Sequence, residues 1–123
     1  MNQALYERLC DVARRGGITR YGEVAPLVGL DMANPDHRDQ MSALLEEISR
    51  HEHLRGCPLL SAVVIHIEDN IPGNGFFTLA AELGLFRGRD RFMFFVEELR
   101  RVHDHWHSAA TQAAQPDVPP DRR

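Results

Sequence analysis

Apolar residues recur every three or four positions in four stretches of this chain. That spacing places them on one face of a helix, where they can be buried against the rest of a domain. A glycine follows shortly after each of the first three stretches, as is typical of helix ends. The pattern therefore predicts four amphipathic helices, at residues 3–15, 38–53, 76–83 and 90–108.

Two shorter elements are predicted between these helices. Thr19 is a suitable N-cap for a short helix that ends at Gly29, and Pro26 limits the length of that helix. Residues 59–67 are apolar and rich in β-branched side chains, with turn residues on both sides, which predicts a strand. The sequence thus predicts an α+β fold that is mostly helical, with one short strand or β-hairpin and a long C-terminal helix.

The length of the chain, 123 residues, is typical of one domain. We place this domain at residues 1–108. The following segment, residues 109–123, is rich first in alanine and glutamine and then in proline. Because it cannot bury enough apolar surface to fold, we expect it to be a disordered tail.

Composition excludes some classes of protein. The chain is 43% hydrophobic and 26% charged, as in ordinary globular domains, and its formal net charge is −4. A dedicated nucleic-acid binder usually carries an excess of basic residues, so nucleic-acid binding by this chain would need a local basic patch. Cys10 and Cys57 do not form a disulfide framework and indicate reduced thiols in a cytoplasmic protein. No apolar run approaches the ~20 residues of a membrane span, so no membrane contact is expected.

Residues 18–25 read Ile-Thr-Arg-Tyr-Gly-Glu-Val-Ala, ahead of a helix near residues 38–48. This part resembles the winged-helix DNA-binding domain of alkyltransferase-like proteins and alkylguanine-DNA alkyltransferases, in which a Thr-Tyr-Gly-acidic helix start precedes a recognition helix. The resemblance implies a winged-helix-like domain that contacts duplex DNA. The family's Pro-Cys-His-Arg active site is missing, because Pro58 and Leu59 follow Cys57. Alkyl transfer is therefore not expected.

A second resemblance covers more of the chain. Residues 21–23, 58–64 and 72–77 resemble a family of small bacterial proteins. This resemblance implies no activity.

Arginines in the N-terminal half are the predicted nucleic-acid contacts, because a winged helix could gather several of them on one surface. The helix at residues 38–53 also exposes Asp39, Glu46 and Glu47, which would face phosphates badly. A dispersed, solvated surface is the alternative. The residues predicted to contact nucleic acid are Arg20, Tyr21, Arg38 and Arg50.

Gly73, Asn74 and Gly75 form a loop directly before a predicted helix. Backbone N–H groups at a helix N-terminus can bind an anion, and glycines let the anion approach closely. The alternative is a tight turn in which Gly73 or Gly75 needs a positive φ.

No metal site, cofactor or catalytic set is predicted. His103 and His107 are four residues apart and share a helix face, but no third ligand is indicated. Cys57 and His66 are nine residues apart on an extended path, too far for a nucleophile and its base. The sequence therefore favours a protein that is not an enzyme.

Five consecutive apolar residues begin at Phe92 and end at Val96. Successive helical residues are about 100° apart, so one helix cannot point all five inward. We predict that Met93 or Phe94 lies in a self-association interface, which would make the protein a homodimer through this helix. The alternative is a helix that is packed on both sides.

Two functional hypotheses follow. In the first, a small non-enzymatic bacterial protein binds nucleic acid or is accessory to a DNA-acting complex. In the second, the chain is a protein-interaction module, a homodimer or adaptor, without nucleic-acid contact.

Overall fold

The computed structural model of the protein describes residues 1–88 and 90–114. In these residues the fold is α+β and mostly helical, with a long C-terminal helix, so the predicted fold class is confirmed. Two turns of 3-10 helix, Ala25–Val28 and Leu60–Val63, accompany the main elements. These elements are α1 (Gln3–Arg14), β1 (Thr19–Arg20), α2 (Tyr21–Val24), α3 (Pro35–Leu54), β2 (Val64–Ile65), α4 (Asn74–Glu82) and α5 (Arg91–Ala114).

Helix α3 begins three residues before its predicted start at residue 38. The Asn34-Pro35 pair, which precedes the predicted helix, is the start of the helix in the structure. The side chain of Asn34 accepts hydrogen bonds from the backbone N–H groups of Asp36 and His37, and Pro35 occupies the first helical position. Proline suits this position because the first helical N–H needs no intrahelical partner.

The strand predicted at residues 59–67 is much shorter in the structure. Leu60–Val63 is a 3-10 turn, and only Val64–Ile65 forms a strand. Of the two alternatives, strand and hairpin, the short strand is confirmed, because β2 pairs in parallel with β1 and not with an adjacent antiparallel strand. The predicted length was wrong because burial among helices makes a turn as apolar as a strand.

The segment from Leu59 to Ile65 is the centre of the core, since none of its residues is more than 5% exposed. Its 3-10 turn contacts α1, α3 and α5. Two buried polar groups fix its position. The Glu98 carboxylate accepts hydrogen bonds from the Leu59 N–H at 2.8 Å and from Arg101 at 2.9 Å, and Ser49 Oγ accepts one from the Ser61 N–H at 3.0 Å.

Phe94 belongs to the core, so its predicted place in an interface is wrong. Its side chain is 8% exposed, and its ring centroid lies 5.1 Å from Phe86, 5.9 Å from Phe76 and 6.4 Å from Phe77. The helix faces α4 and the following loop through these rings. The exposed apolar residues of the run are instead Phe92, at 60%, and Met93, at 52%.

Helix α5 continues to Ala114, beyond the predicted domain end at residue 108. The remainder of the predicted tail, residues 115–123, lies outside the described residues. Among the helices that the structure describes, none is both long and apolar enough to cross a membrane.

Candidate functional site

A groove of about 1040 Å³ opens between α2, the N-terminal half of α3 and the loop that joins β2 to α4. Its lining includes Arg20, Tyr21, Glu23, Arg38, Asp39, Ser42, His66, Glu68, Gly73, Asn74 and Gly75. Three of the four residues predicted to contact nucleic acid therefore share one groove with the whole predicted anion-binding loop.

The pairing of the two short strands brings the floor of this groove together. In the parallel register Thr19 lies beside Val64 and Arg20 beside Ile65. Tyr21 directly follows β1 and His66 directly follows β2. Their rings are stacked, with centroids 4.4 Å apart and an interplanar angle of 23°.

Tyr21 also connects α2 to the loop before α4. Its hydroxyl oxygen accepts a hydrogen bond from the Gly73 N–H at 2.9 Å. Burial raises the pKa of Tyr21 above its ordinary value, so the phenol stays protonated near neutral pH. A neutral phenol at this position fixes one wall of the groove to the other without adding a charge.

Glycine is needed at positions 73 and 75 because neighbouring atoms leave no room for a Cβ, and not because the backbone has a positive φ. The prediction of a strained turn was therefore wrong. The φ of Gly73 is −74°, and Gly75 lies within α4. A Cβ on Gly73 would lie 2.9 Å from His66 Nε2 and 3.2 Å from the Tyr21 hydroxyl, and one on Gly75 would lie 2.5 Å from Ser42 Oγ. Side chains at these positions would fill the space where the loop meets α2 and α3.

The two arginines of the groove have different surroundings. Arg38 donates hydrogen bonds from Nε to the Met32 carbonyl at 2.8 Å and from Nη2 to the Ala33 carbonyl at 3.4 Å, so its charge is held in place but not neutralised. Arg20 is partly buried, and its buried Nε has no hydrogen-bond partner in the part of the chain that the structure describes. Within the described residues, the Arg20 guanidinium forms no ion pair.

Glu23 caps the start of α2. Its Oε1 accepts hydrogen bonds from Thr19 Oγ1 at 2.9 Å and from the Arg20 N–H at 3.0 Å. These bonds, that from Thr19 first, lower the pKa of Glu23. The carboxylate thereby holds the backbone from which the Arg20 and Tyr21 side chains reach the groove.

Arg50 lies apart from the other predicted contacts, in the C-terminal half of α3. Its guanidinium forms ion pairs with Glu46 at 2.7 Å and Glu82 at 2.8 Å. Hydrogen bonds to these two carboxylates raise its pKa above the ordinary value. Two nearby negative charges offset its positive charge, and Arg50 does not line the groove.

The predicted anion-binding loop is partly occupied by the protein's own groups. The Gly73 N–H is bonded to Tyr21, and the Asn74 side-chain oxygen accepts a hydrogen bond from Arg91 Nη1 at 2.6 Å. The Arg91 bond brings a cation to the N-terminus of α4. Anion binding at this loop stays a prediction.

Three of the four histidine and cysteine side chains considered from sequence make other contacts. His103 Nε2 is hydrogen-bonded to the Gly17 carbonyl at 2.8 Å, which ties α5 to the turn after α1. In the described part of the chain, no group of three or more metal-ligating side chains is found. Cys57 Sγ contacts the Arg55 carbonyl at 3.8 Å, whereas His66 stacks on Tyr21.

A polar cluster around the buried Glu52 ties α1 to the end of α3. Glu52 is fully buried, and its Oε2 accepts hydrogen bonds from the Tyr6 hydroxyl at 3.0 Å and from Arg55 at 3.3 Å. Burial is the main cause that raises the pKa of Tyr6 to about 12. None of these three residues lines the groove.

Ser42, His66 and Glu68 also line the groove and were not predicted from the sequence, whereas Asp39 was considered only as a residue that opposes phosphate binding. The helical spacing of Arg38 and Ser42 puts both on one face of α3, which was a usable signal. No local signal indicates that His66 meets Tyr21, because the two residues come together only through the strand register.

The chain matches no family model, and neither the curated proteins nor the solved structures contain a significant match. The resemblance to the alkyltransferase-like proteins therefore stays a prediction.

Proposed function

We propose that the groove binds nucleic acid and that the protein acts without catalysing a reaction, as a binding protein or as an accessory to a DNA-acting complex. The observation that carries this proposal is the meeting of Arg20, Tyr21 and Arg38 with the start of α4 in one groove. These groups come from three separate segments of the chain, and the groove is the place where the segments converge.

Arginine chemistry supports a phosphate ligand. Every one of the fourteen cationic side chains in the sequence is an arginine. The planar guanidinium matches a phosphate with two parallel hydrogen bonds, which an ammonium group does not do. Within the described residues the Arg20 guanidinium forms no ion pair that would compete with a phosphate, and Arg38 adds a charge whose position is fixed by its backbone contacts. We therefore assign two phosphate contacts to this groove.

A cytoplasmic location belongs to the same proposal. Cys10 and Cys57 are both free thiols, which is the usual state of cysteine in a reducing compartment.

Binding should show the salt dependence of a small number of phosphate contacts. For two contacts, the logarithm of the affinity for a short DNA duplex should fall with the logarithm of salt concentration with a slope of about −1.8. In an Arg20→Gln variant the slope should become shallower by about 0.9, because one contact is lost. Fluorescence anisotropy of a labelled duplex, titrated from low to moderate salt, measures both slopes.

Arg50→Gln is the matched control. It removes the same charge from a partly exposed arginine outside the groove, and its ion pairs contribute little to stability at the surface. We expect its salt slope to equal that of the unmodified protein. Equal losses in the two variants would contradict a role of the groove, and an unchanged anisotropy at low salt and high protein concentration would contradict nucleic-acid binding altogether.

The exposure of Phe92 and Met93 favours the second hypothesis, a protein-interaction module that self-associates. They are adjacent large apolar side chains on the surface at the start of α5. Burying one such side chain at an interface is worth about 1.5–3 kcal/mol. If these residues form a dimer interface, sedimentation equilibrium should show a dimer for the unmodified protein and a monomer for Met93→Asp. A monomer for both at high concentration would end this alternative.

A further inference from the structure

The groove carries carboxylates as well as arginines. Glu23 has a structural task, since its Oε1 caps α2. Asp39 and Glu68 are exposed side chains of the lining. Within the described residues, neither of them forms a hydrogen bond or an ion pair through its side chain, so their four oxygens are available to a ligand.

Free carboxylates oppose a ligand that presents only phosphates. Each one repels the backbone of a nucleic acid and lowers its affinity. The carboxylates instead favour binding if the ligand also carries N–H donors that can form hydrogen bonds to the carboxylate oxygens. A metal ion is a poor alternative occupant, because no group of three or more metal-ligating side chains lies in the described part of the chain.

The donors that a nucleic acid offers are on its bases. Cytosine has an exocyclic amino group at N4, which aspartate and glutamate accept in known base contacts. Thymine has a carbonyl oxygen and a methyl group at the corresponding places, and its O4 would be repelled by a carboxylate. The two pyrimidines have similar ring sizes, so the amino group is the main difference that the groove would detect.

We infer that Asp39 and Glu68 recognise exocyclic amino groups of bases, so that the groove prefers cytosine-containing nucleic acid to thymine-only nucleic acid. This inference rests on the proposed function. It assigns a separate role to each group of the groove. Arg20 and Arg38 bind the phosphates, and the carboxylates of Asp39 and Glu68 select the base.

A matched pair of single-stranded oligonucleotides tests this assignment. One is a short oligothymidylate, and the other has the same length with cytosines at its central positions. The unmodified protein should bind the cytosine-containing strand about tenfold more tightly, which corresponds to one good base contact. In an Asp39→Ala/Glu68→Ala double variant this ratio should fall to about one, because oligothymidylate gains affinity as repulsion is removed and the cytosine-containing strand loses its base contact.

The control is a Glu97→Ala/Asp104→Ala double variant, which removes two exposed carboxylates from α5 and should keep the ratio. A ratio near one in the unmodified protein, with both strands bound, would overturn the inference and leave the proposed function standing. A ratio that persists in the Asp39→Ala/Glu68→Ala variant would overturn the assignment to these residues. Failure of both strands and of the duplex to bind would instead overturn the proposed function itself.

Discussion

A Phe94→Asp variant should be largely unfolded in water. The Phe94 ring packs among Phe76, Phe77 and Phe86, and removing a buried phenylalanine side chain costs about 3–5 kcal/mol. A carboxylate placed in this apolar site adds a further cost, because burial disfavours its charge. The sum approaches the whole stability of a typical domain, about 5–15 kcal/mol. Circular dichroism and urea unfolding measure the loss.

Met93→Asp is the control, since it introduces the same charge one position earlier. Met93 is 52% exposed, and its N–H donates to the Asp90 carboxylate that caps α5. A negative charge in the first turn of a helix is favourable. We expect a change in the free energy of unfolding of no more than about 0.5 kcal/mol. Equal destabilisation of the two variants would contradict the described orientation of α5.

Gly73→Ala should destabilise the protein by about 1–3 kcal/mol, the usual cost of inserting an atom into a packed site. The backbone of Gly73 suits alanine, so the cost comes from the contact of the new Cβ with His66 Nε2 and the Tyr21 hydroxyl. Moving the imidazole away from the new Cβ would disturb its stack with the Tyr21 ring. Thermal and urea unfolding of the variant measure the effect.

A double-mutant cycle with His66→Ala separates this cause from a backbone cause. Removing the imidazole makes room for the Cβ, so Gly73→Ala should cost much less in the His66→Ala background. Gly22→Ala is the control, because a Cβ there meets nothing within 4 Å, and it should be neutral or slightly stabilising. The same cost for Gly73→Ala in both backgrounds would indicate backbone strain and contradict the steric explanation.

The helices were predictable because each has a periodic apolar face and a recognisable end. Misplaced boundaries had local causes. Asn34 and Pro35 are equally common in loops and at helix starts. The residues from Leu60 to Ile65 are apolar because they are buried among helices, and burial favours apolar residues in a turn as well as in a strand. The inward position of Phe94 depends on the rotation of α5 about its axis, which a continuous apolar run leaves open.

The groove was less predictable than the helices. Arg20, Tyr21 and Arg38 were identified from residue type and a resemblance, and they do lie together. Arg50 is of the same type, but carboxylates on α3 and α4 surround it, and Glu82 comes from a distant part of the sequence. The Tyr21–His66 stack depends on the register of two strands that are only two residues long, for which no periodic pattern exists.

The central claim is that nucleic acid binds in this groove, and a titration of isotope-labelled protein with a short DNA duplex by NMR spectroscopy tests it most directly. The account predicts that amide shifts concentrate at Arg20, Tyr21, Gly73 and Gly75, with the Gly73 signal sensitive because its N–H is bonded to Tyr21. Amides around Arg50 and along the exposed face of α5 should stay unchanged. Shifts confined to the start of α5, or none at saturating DNA, would contradict the claim.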